Sequence, residues 1–199
     1  MSGAFPISNA KFRTLGIKSM QDTIISKSVS GKKLARQIDN QRFAFTIEII
    51  TGKRSDVYGE LMAFIIKQRS GKENFTIVPP EVEDARGTAS GTPNGTASAG
   101  ATSITLGGTG TGTLKAGDMI KFASHDKVYM VVADQSDIST GSLTIEPPLT
   151  TSITNSDIQY DNVPFTVFLT NDVQEFGVVG SDKDGNLLYQ YEFDVEEAL

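Results

Sequence analysis

The sequence has no cysteine, no tryptophan, a single histidine and no long apolar run. Without cysteine there are no disulfide staples, thiolate nucleophiles or cysteine-based zinc sites, which fits synthesis in a reducing cytosol. With His125 as the only histidine, any Ser–His–acid arrangement rests on that residue alone, and a histidine-based metal site lacks a second ligand. The apolar stretches run for only a few residues, against the ~20 that a membrane-spanning helix needs. The start, Met1-Ser2-Gly3-Ala4-Phe5-Pro6, has no basic segment followed by an apolar one, so no signal peptide is expected. A soluble protein made inside a cell is the expectation. A chain of 199 residues can also bury roughly 70% of its unfolded surface, enough for stability without covalent or metal staples.

What charge there is lies unevenly. Residues 1–80 hold 13 Lys and Arg against 6 Asp and Glu, and residues 81–199 hold 5 against 18, giving the net charge of −6. Two differently solvated surfaces would account for this. So would a molecule with opposite poles, suited to head-to-tail contact with copies of itself. A pI near 4.8 without tryptophan argues against a nucleic-acid platform.

Residues 1–36 read as polar and irregular, with Lys27, Lys32, Lys33 and Arg36 around Gly31. From Arg42 to Ile50 the pattern is period two: Phe43, Phe45, Ile47 and Ile49 share a face, opposite Arg42, Ala44, Thr46 and Glu48. Residues 55–71 read as the one helix. Ser55 is its expected cap, Val57, Leu61, Phe64, Ile65 and Gln68 form its stripe, and Gly71 is its stop. A short strand, Phe75–Val78, precedes Pro79-Pro80. The composition then turns to Gly, Thr, Ser and Ala from Gly87 to Gly112, with a strand centred on Ile104 and Leu106. Further strands are expected at 119–122, 127–133, 142–146, 163–169 and 187–195. In the last, Leu187, Tyr189, Tyr191, Phe193 and Val195 alternate with polar residues. Segments 1–86 and 160–199 share a style that 87–159 interrupts, as an insertion into a parent β-domain would.

No segment assembles a catalytic constellation. Gly107–Gly112 lacks the Gly-Lys-Ser/Thr end and the strand–helix junction of a phosphate loop. His125, between Ser124 and Asp126, reads as a turn histidine bonded to nearby backbone. Asp182-Lys183-Asp184-Gly185-Asn186 places its glycine fourth instead of sixth and Phe193 at the twelfth position, so a hairpin turn explains it better than calcium. Glu192, Asp194, Glu196 and Glu197 crowd the last strand and read as a solvated edge or interface rim. A carbohydrate-binding module, the alternative from another class, would want solvent-facing aromatics, for which Tyr129 and Tyr160 are the candidates. Neither an enzyme, nor a cofactor, nor a metal is expected.

Taken in order, SKSVSGKKLARQ, QRFAFTIEI, IIKQRSGKENFTIVPP, RGTASGTPN, LKAGDMIKFASHDKVYMVVAD, GSLTIEPPL and VPFTVFLTNDVQEFGV resemble the distal tail proteins of tailed bacteriophages over nearly the full length. The resemblance implies a mainly β fold: a tail-tube-like β-sandwich with one flanking helix, built from 1–86 and 160–199, and a small OB-like β-barrel inserted at 87–159. It implies a structural virion protein, made in the host cytoplasm, that forms a homo-oligomeric ring of six at the tail's distal end. That ring would contact the tail tube protein and the baseplate hub or fibre proteins. No membrane and no sequence-specific nucleic acid are expected, though genome DNA would be free to pass through the channel. A tube subunit or another baseplate adaptor ring is the alternative within the particle. Larger members carry a C-terminal carbohydrate-binding-like domain, whereas this sequence stops after the core strand, so glycan binding is not implied.

A closed ring needs heterologous contacts, and strand edges are natural joining surfaces. The expected interface comprises the arm 24–36, strand 42–50 and strand 187–195. In it Lys32, Lys33, Arg36 and Arg42 supply cations, and Glu192, Asp194 and Glu196 of a neighbour supply the acidic side.

Overall fold

The computed structural model describes residues 3–6, 12–37 and 41–199. Its fold is mainly β, with one α-helix, an antiparallel sheet and a small closed barrel, as expected.

The sheet is organised by β4 (Arg42–Lys53) and β14 (Leu187–Glu197), its longest strands, paired from Leu188 opposite Lys53 to Glu196 opposite Ala44. The period-two reading of β4 holds, with Phe43, Phe45, Ile47 and Ile49 all buried. On β14 they meet Tyr191, Phe193 and Val195, also buried. Beyond β4 lies β1 (Phe12–Met20). Beyond β14 lie β12 (Phe165–Leu169) and then β5 (Phe75–Ile77), while β13 (Gly177–Ser181) pairs with the start of β14. The segment at Ala4 and Phe5 runs along the outer side of β5, where Phe5 N–H donates to Thr76 O at 2.8 Å.

The apolar face of this sheet is covered by the chain that follows β4. Residues Arg54–Tyr58 form a π-helical turn that passes into α1 (Gly59–Lys67). Val57, Leu61, Ile65 and Gln68 are buried along one stripe, as the spacing predicts. Ser55 does not cap the helix: its hydroxyl donates to Asp56 Oδ1 at 3.1 Å. The turn is closed instead by Gly59, whose N–H donates to Arg54 O. A Cβ on Gly59 would stand 2.7 Å from that carbonyl oxygen, so the wide turn needs glycine there. Tyr58 locks the same corner by donating to Ile50 O at 3.0 Å. At the other end the helix stops at Lys67, before Gly71. Arg69, Ser70 and Gly71 then follow one another with positive φ, turning the chain toward β5.

The segment read as irregular, 1–36, instead carries β1 and most of a separate two-stranded hairpin, β2 (Thr23–Lys27) with β3 (Lys33–Gln37). In β1 the pairing shifts between Phe12 and Thr14, and that bulge hides the strand's period in the sequence.

Between β5 and β12 the chain builds the barrel. Its strands are β6 (Pro93–Ala97), β7 (Ser103–Gly108), β8 (Met119–Phe122), β9 (Val128–Val131), β10 (Ser142–Glu146) and β11 (Ile153–Gln159). They close in the order β10-β7-β6-β11-β8-β9. Closure removes free strand edges. The interior is filled by Ile104, Ile120, Phe122, Tyr129, Val131, Leu143, Ile145 and their neighbours, a cluster separate from that of the sheet.

Candidate subunit interface and the sheet–barrel junction

The barrel enters and leaves the sheet domain through neighbouring strands of chain. Asn162 N–H donates to Glu83 O, and Ala85 N–H donates to Asp161 Oδ1 at 3.0 Å. Next to these connections the two bodies are joined by charge. Alternation along β14 puts Glu197 on the same face as Phe193 and Val195, so its carboxylate points into the apolar side of the sheet. It receives Phe43 N–H at 3.1 Å, Val128 N–H at 2.9 Å and the Lys127 ammonium at 2.5 Å. Lys127 also donates to Gln41 Oε1 at 3.1 Å and lies 4.9 Å above the Phe43 ring. The side chains of Lys127 and Glu197 are 2% and 0% exposed. Burial lowers the lysine's pKa, while the neighbouring Glu197 carboxylate opposes that shift. Met119 and Val128, from barrel strands, complete the junction by packing into the sheet's core cluster.

The residues expected at a subunit interface fall into two groups. Arg42, Glu192, Asp194 and Glu196 lie on the polar face of the sheet, in strands that are interior to it. Because β4 lies between β1 and β14, and β14 between β4 and the β12 and β13 strands, neither offers an edge for joining. Three of these residues already have partners in their own chain. Arg42 pairs with Glu196 at 2.5 Å, and Asp194 accepts from Thr46 Oγ1 at 2.5 Å with Lys18 at 3.8 Å. The same face carries Glu48, bound by Arg13 at 2.9 Å. Lys32, Lys33 and Arg36 instead belong to the β2–β3 hairpin, every residue of whose strands is exposed.

The remaining candidates have local explanations. The His125 ring is bonded to side chains: its Nδ1 is 3.1 Å from Ser124 Oγ, and its Nε2 is 2.8 Å from Tyr129 OH, while the residue's backbone N–H donates to Phe122 O. Tyr129 OH in turn contacts Thr150 Oγ1 at 3.0 Å and accepts Thr150 N–H at 3.1 Å. Both ring nitrogens therefore face hydroxyls, and Asp126 pairs with Lys121. In the Gly107–Gly112 run, Thr109 N–H donates to Thr92 O and Thr111 N–H to Ser90 O, so these amides are committed to the backbone. Asp182 is occupied by Lys53 at 2.5 Å and by Asp184 N–H and Asn186 N–H at 2.9 Å each, forming the turn between β13 and β14. Among the described residues no group of three acidic, histidine or cysteine side chains is arranged to hold a metal ion. Tyr129 and Tyr160 are both buried, which removes them as a sugar-stacking surface.

Residues 83–163, which begin and end at the paired connections, match the family described as distal tail protein pb9, B domain. This segment is similar to that domain. The match bears out the resemblance to bacteriophage distal tail proteins, and the role of the chain is that of a structural component of a phage tail. No curated protein matches the chain. The last barrel strand, β11, leads directly to β12 of the sheet, so the barrel is held by the Lys127–Glu197 junction on one side and by the connections on the other.

Proposed function

We propose that the chain is a ring-forming subunit at the distal end of a bacteriophage tail, in six copies, joining the tail tube to the baseplate hub or fibre-bearing proteins. In this reading residues 1–86 and 160–199 build the ring and residues 87–159 form the inserted domain, held outward. The reading is carried by one observation: a distal tail protein B domain is spliced, through a sealed ionic junction, into a sheet whose β1 and β13 edges are unpaired among the described residues. Unpaired edges on opposite sides of one sheet suit heterologous contacts that close by rotation. The role is assembly and not catalysis, with the virion as the final location and the host cytoplasm as the place of synthesis.

Light scattering on the purified protein, with negative-stain images of the same sample, tests the proposal. Rings of about six copies with a central hole are expected. A protein that stays monomeric at every concentration would sink the self-assembly claim. Copy number in purified virions separates the distal position from a tube subunit, since a tube holds many stacked rings and a distal ring occurs once.

A further inference from the structure

The β2–β3 hairpin is well formed, and every residue of its two strands is exposed among the described residues. Its turn is closed by Ser28 N–H donating to Lys32 O at 2.9 Å and by Gly31 N–H donating to Ser28 O at 2.8 Å. Its strands pair only with each other among the described residues. Pairing of Ile24 with Arg36 and of Ile25 with Ala35 puts an isoleucine on each face, and Ile24, Ile25 and Leu34 are each more than half exposed. An isolated two-stranded hairpin is marginal in water, so an ordered one with apolar residues on both faces calls for a cover. Between Thr23 and Gln37 the sequence carries Lys27, Lys32, Lys33 and Arg36 and no carboxylate.

The matching surface lies on the far side of the sheet. The outer edge of β13 is free among the described residues, and Val173, Val178, Val179 and Leu187 around it are exposed. Segment 170–187 carries Asp172, Glu175, Asp182 and Asp184 against Lys183 alone, and Asp182 is already taken by Lys53. One surface is thus apolar and basic, the other apolar and acidic. They cannot meet within one molecule. The hairpin leaves β1 after Met20, which pairs with Arg42 at one end of β4, whereas β13 flanks the part of β14 that pairs with Gly52 and Lys53 at the other end. Those ends are roughly 36 Å apart along β4, on opposite sides of the strand pair.

We propose that the β2–β3 hairpin of one copy docks edge-on against the free edge of β13 in the next, so that Ile24 and Leu34 on one face and Ile25 on the other flank Val173, Val178 and Val179. Lys33 and Arg36 then face Asp172 and Glu175 of that neighbour. This rests on the ring reading and replaces the acidic face of β14 as the partner of the basic arm. The contact is heterologous, because it uses two different surfaces, so it propagates around a ring.

The absence of cysteine supplies a clean background for the test. Two single variants, Ile25→Cys and Val179→Cys, carrying tags of different mass, are mixed under mild oxidation. Disulfide dimers containing one of each are expected, with neither variant linking to itself, and the double variant should give a covalent ladder. If wild-type rings form but no mixed dimer appears, the hairpin contact is overturned and the ring reading stands; if the wild type is monomeric, both fall. As a second readout, Lys33→Glu with Arg36→Glu should disperse the rings, and adding Asp172→Lys with Glu175→Lys should restore them. Rings unaffected by the first pair of changes would overturn the proposal even if the cysteines had perturbed folding.

Discussion

Lys127 and Glu197, 70 residues apart in sequence, form an ion pair sealed between barrel and sheet, with the ammonium 2.5 Å from the carboxylate. The pair is fully engaged. Glu197 also accepts two backbone N–H groups, from Phe43 of the sheet and Val128 of the barrel, and Lys127 also donates to Gln41. Two charges taken out of water cost several kcal/mol each unless their partners are complete, and here each polar atom faces a partner. The arrangement therefore favours this seating of the barrel on the sheet, since losing either partner while the junction stays closed leaves a charge buried alone.

This gives a first prediction. Replacing Glu197 by Ala strands a buried ammonium, and replacing Lys127 by Met strands a buried carboxylate. Each should destabilise by about 3–5 kcal/mol, and the double variant Lys127→Met with Glu197→Ala by clearly less than the sum. Urea unfolding of the four proteins measures the coupling. Strictly additive losses would mean that the pair does not act as a unit.

The two halves of the junction differ in how far the sequence reveals them. Composition sets Glu197 beside Glu192, Asp194 and Glu196 as one acidic edge, but it shares the parity of Phe193 and Val195 and so belongs to the core face. That signal was present in the alternation. Its partner was not, because nothing local marks Lys127 as buried until a strand from the other body covers it. The regular strands were legible for the opposite reason: β4 and β14 bury one face each, and a one-residue slip would expose it. Strands β6, with Pro93 and Gly95, and β11, with its register shift before Ser156, carry no such period and are strands only because the barrel closes through them.

A second prediction concerns the β13–β14 turn. Hydrogen bonds from Lys53 and from Asn186 hold the Asp182 carboxyl well below its usual value of 3.8, and the same contact raises Lys53 above 10.5. The lowered carboxyl contributes stability that is present above 3.8 and is lost as pH falls through the folded value. The raised lysine contributes stability that is present below 10.5 and is lost as pH rises through its folded value. The stability gap between wild type and Asp182→Asn should therefore be flat from about pH 5 to 9 and narrow on acidification below about pH 4. Thermal unfolding as a function of pH measures it; a gap unchanged down to about pH 2 would contradict the assignment.

A third prediction separates backbone strain from collision. Gly71 and Gly185 both have positive φ, at +77° and +81°. A Cβ on Gly185 would meet nothing within 4 Å, whereas on Gly71 it would stand 2.2 Å from Leu169 O. Gly185→Ala should cost about 1–2 kcal/mol, the left-handed penalty alone. Gly71→Ala should cost distinctly more, because the turn after α1 must move away from β12. Equal losses in chemical denaturation would show that the turn yields freely.

The last prediction uses the sole histidine. His125 is packed against the Phe122 ring, with ring centres 5.8 Å apart, and its two nitrogens face Ser124 and Tyr129. Burial lowers its pKa below 6.5, with the Asp126 charge opposing and Lys121 assisting. A base whose folded pKa is lowered binds fewer protons than its unfolded counterpart in the window below 6.5, so stability declines there as pH falls. With one histidine in the chain, its imidazole C–H signals in proton NMR report the titration without ambiguity. Their midpoint should lie below 6.5, and His125→Phe should remove that part of the acid-side loss of stability. A midpoint at or above 6.5 would mean that the ring is solvated or charged in the folded barrel, and the hydroxyl cage around it would then have to open.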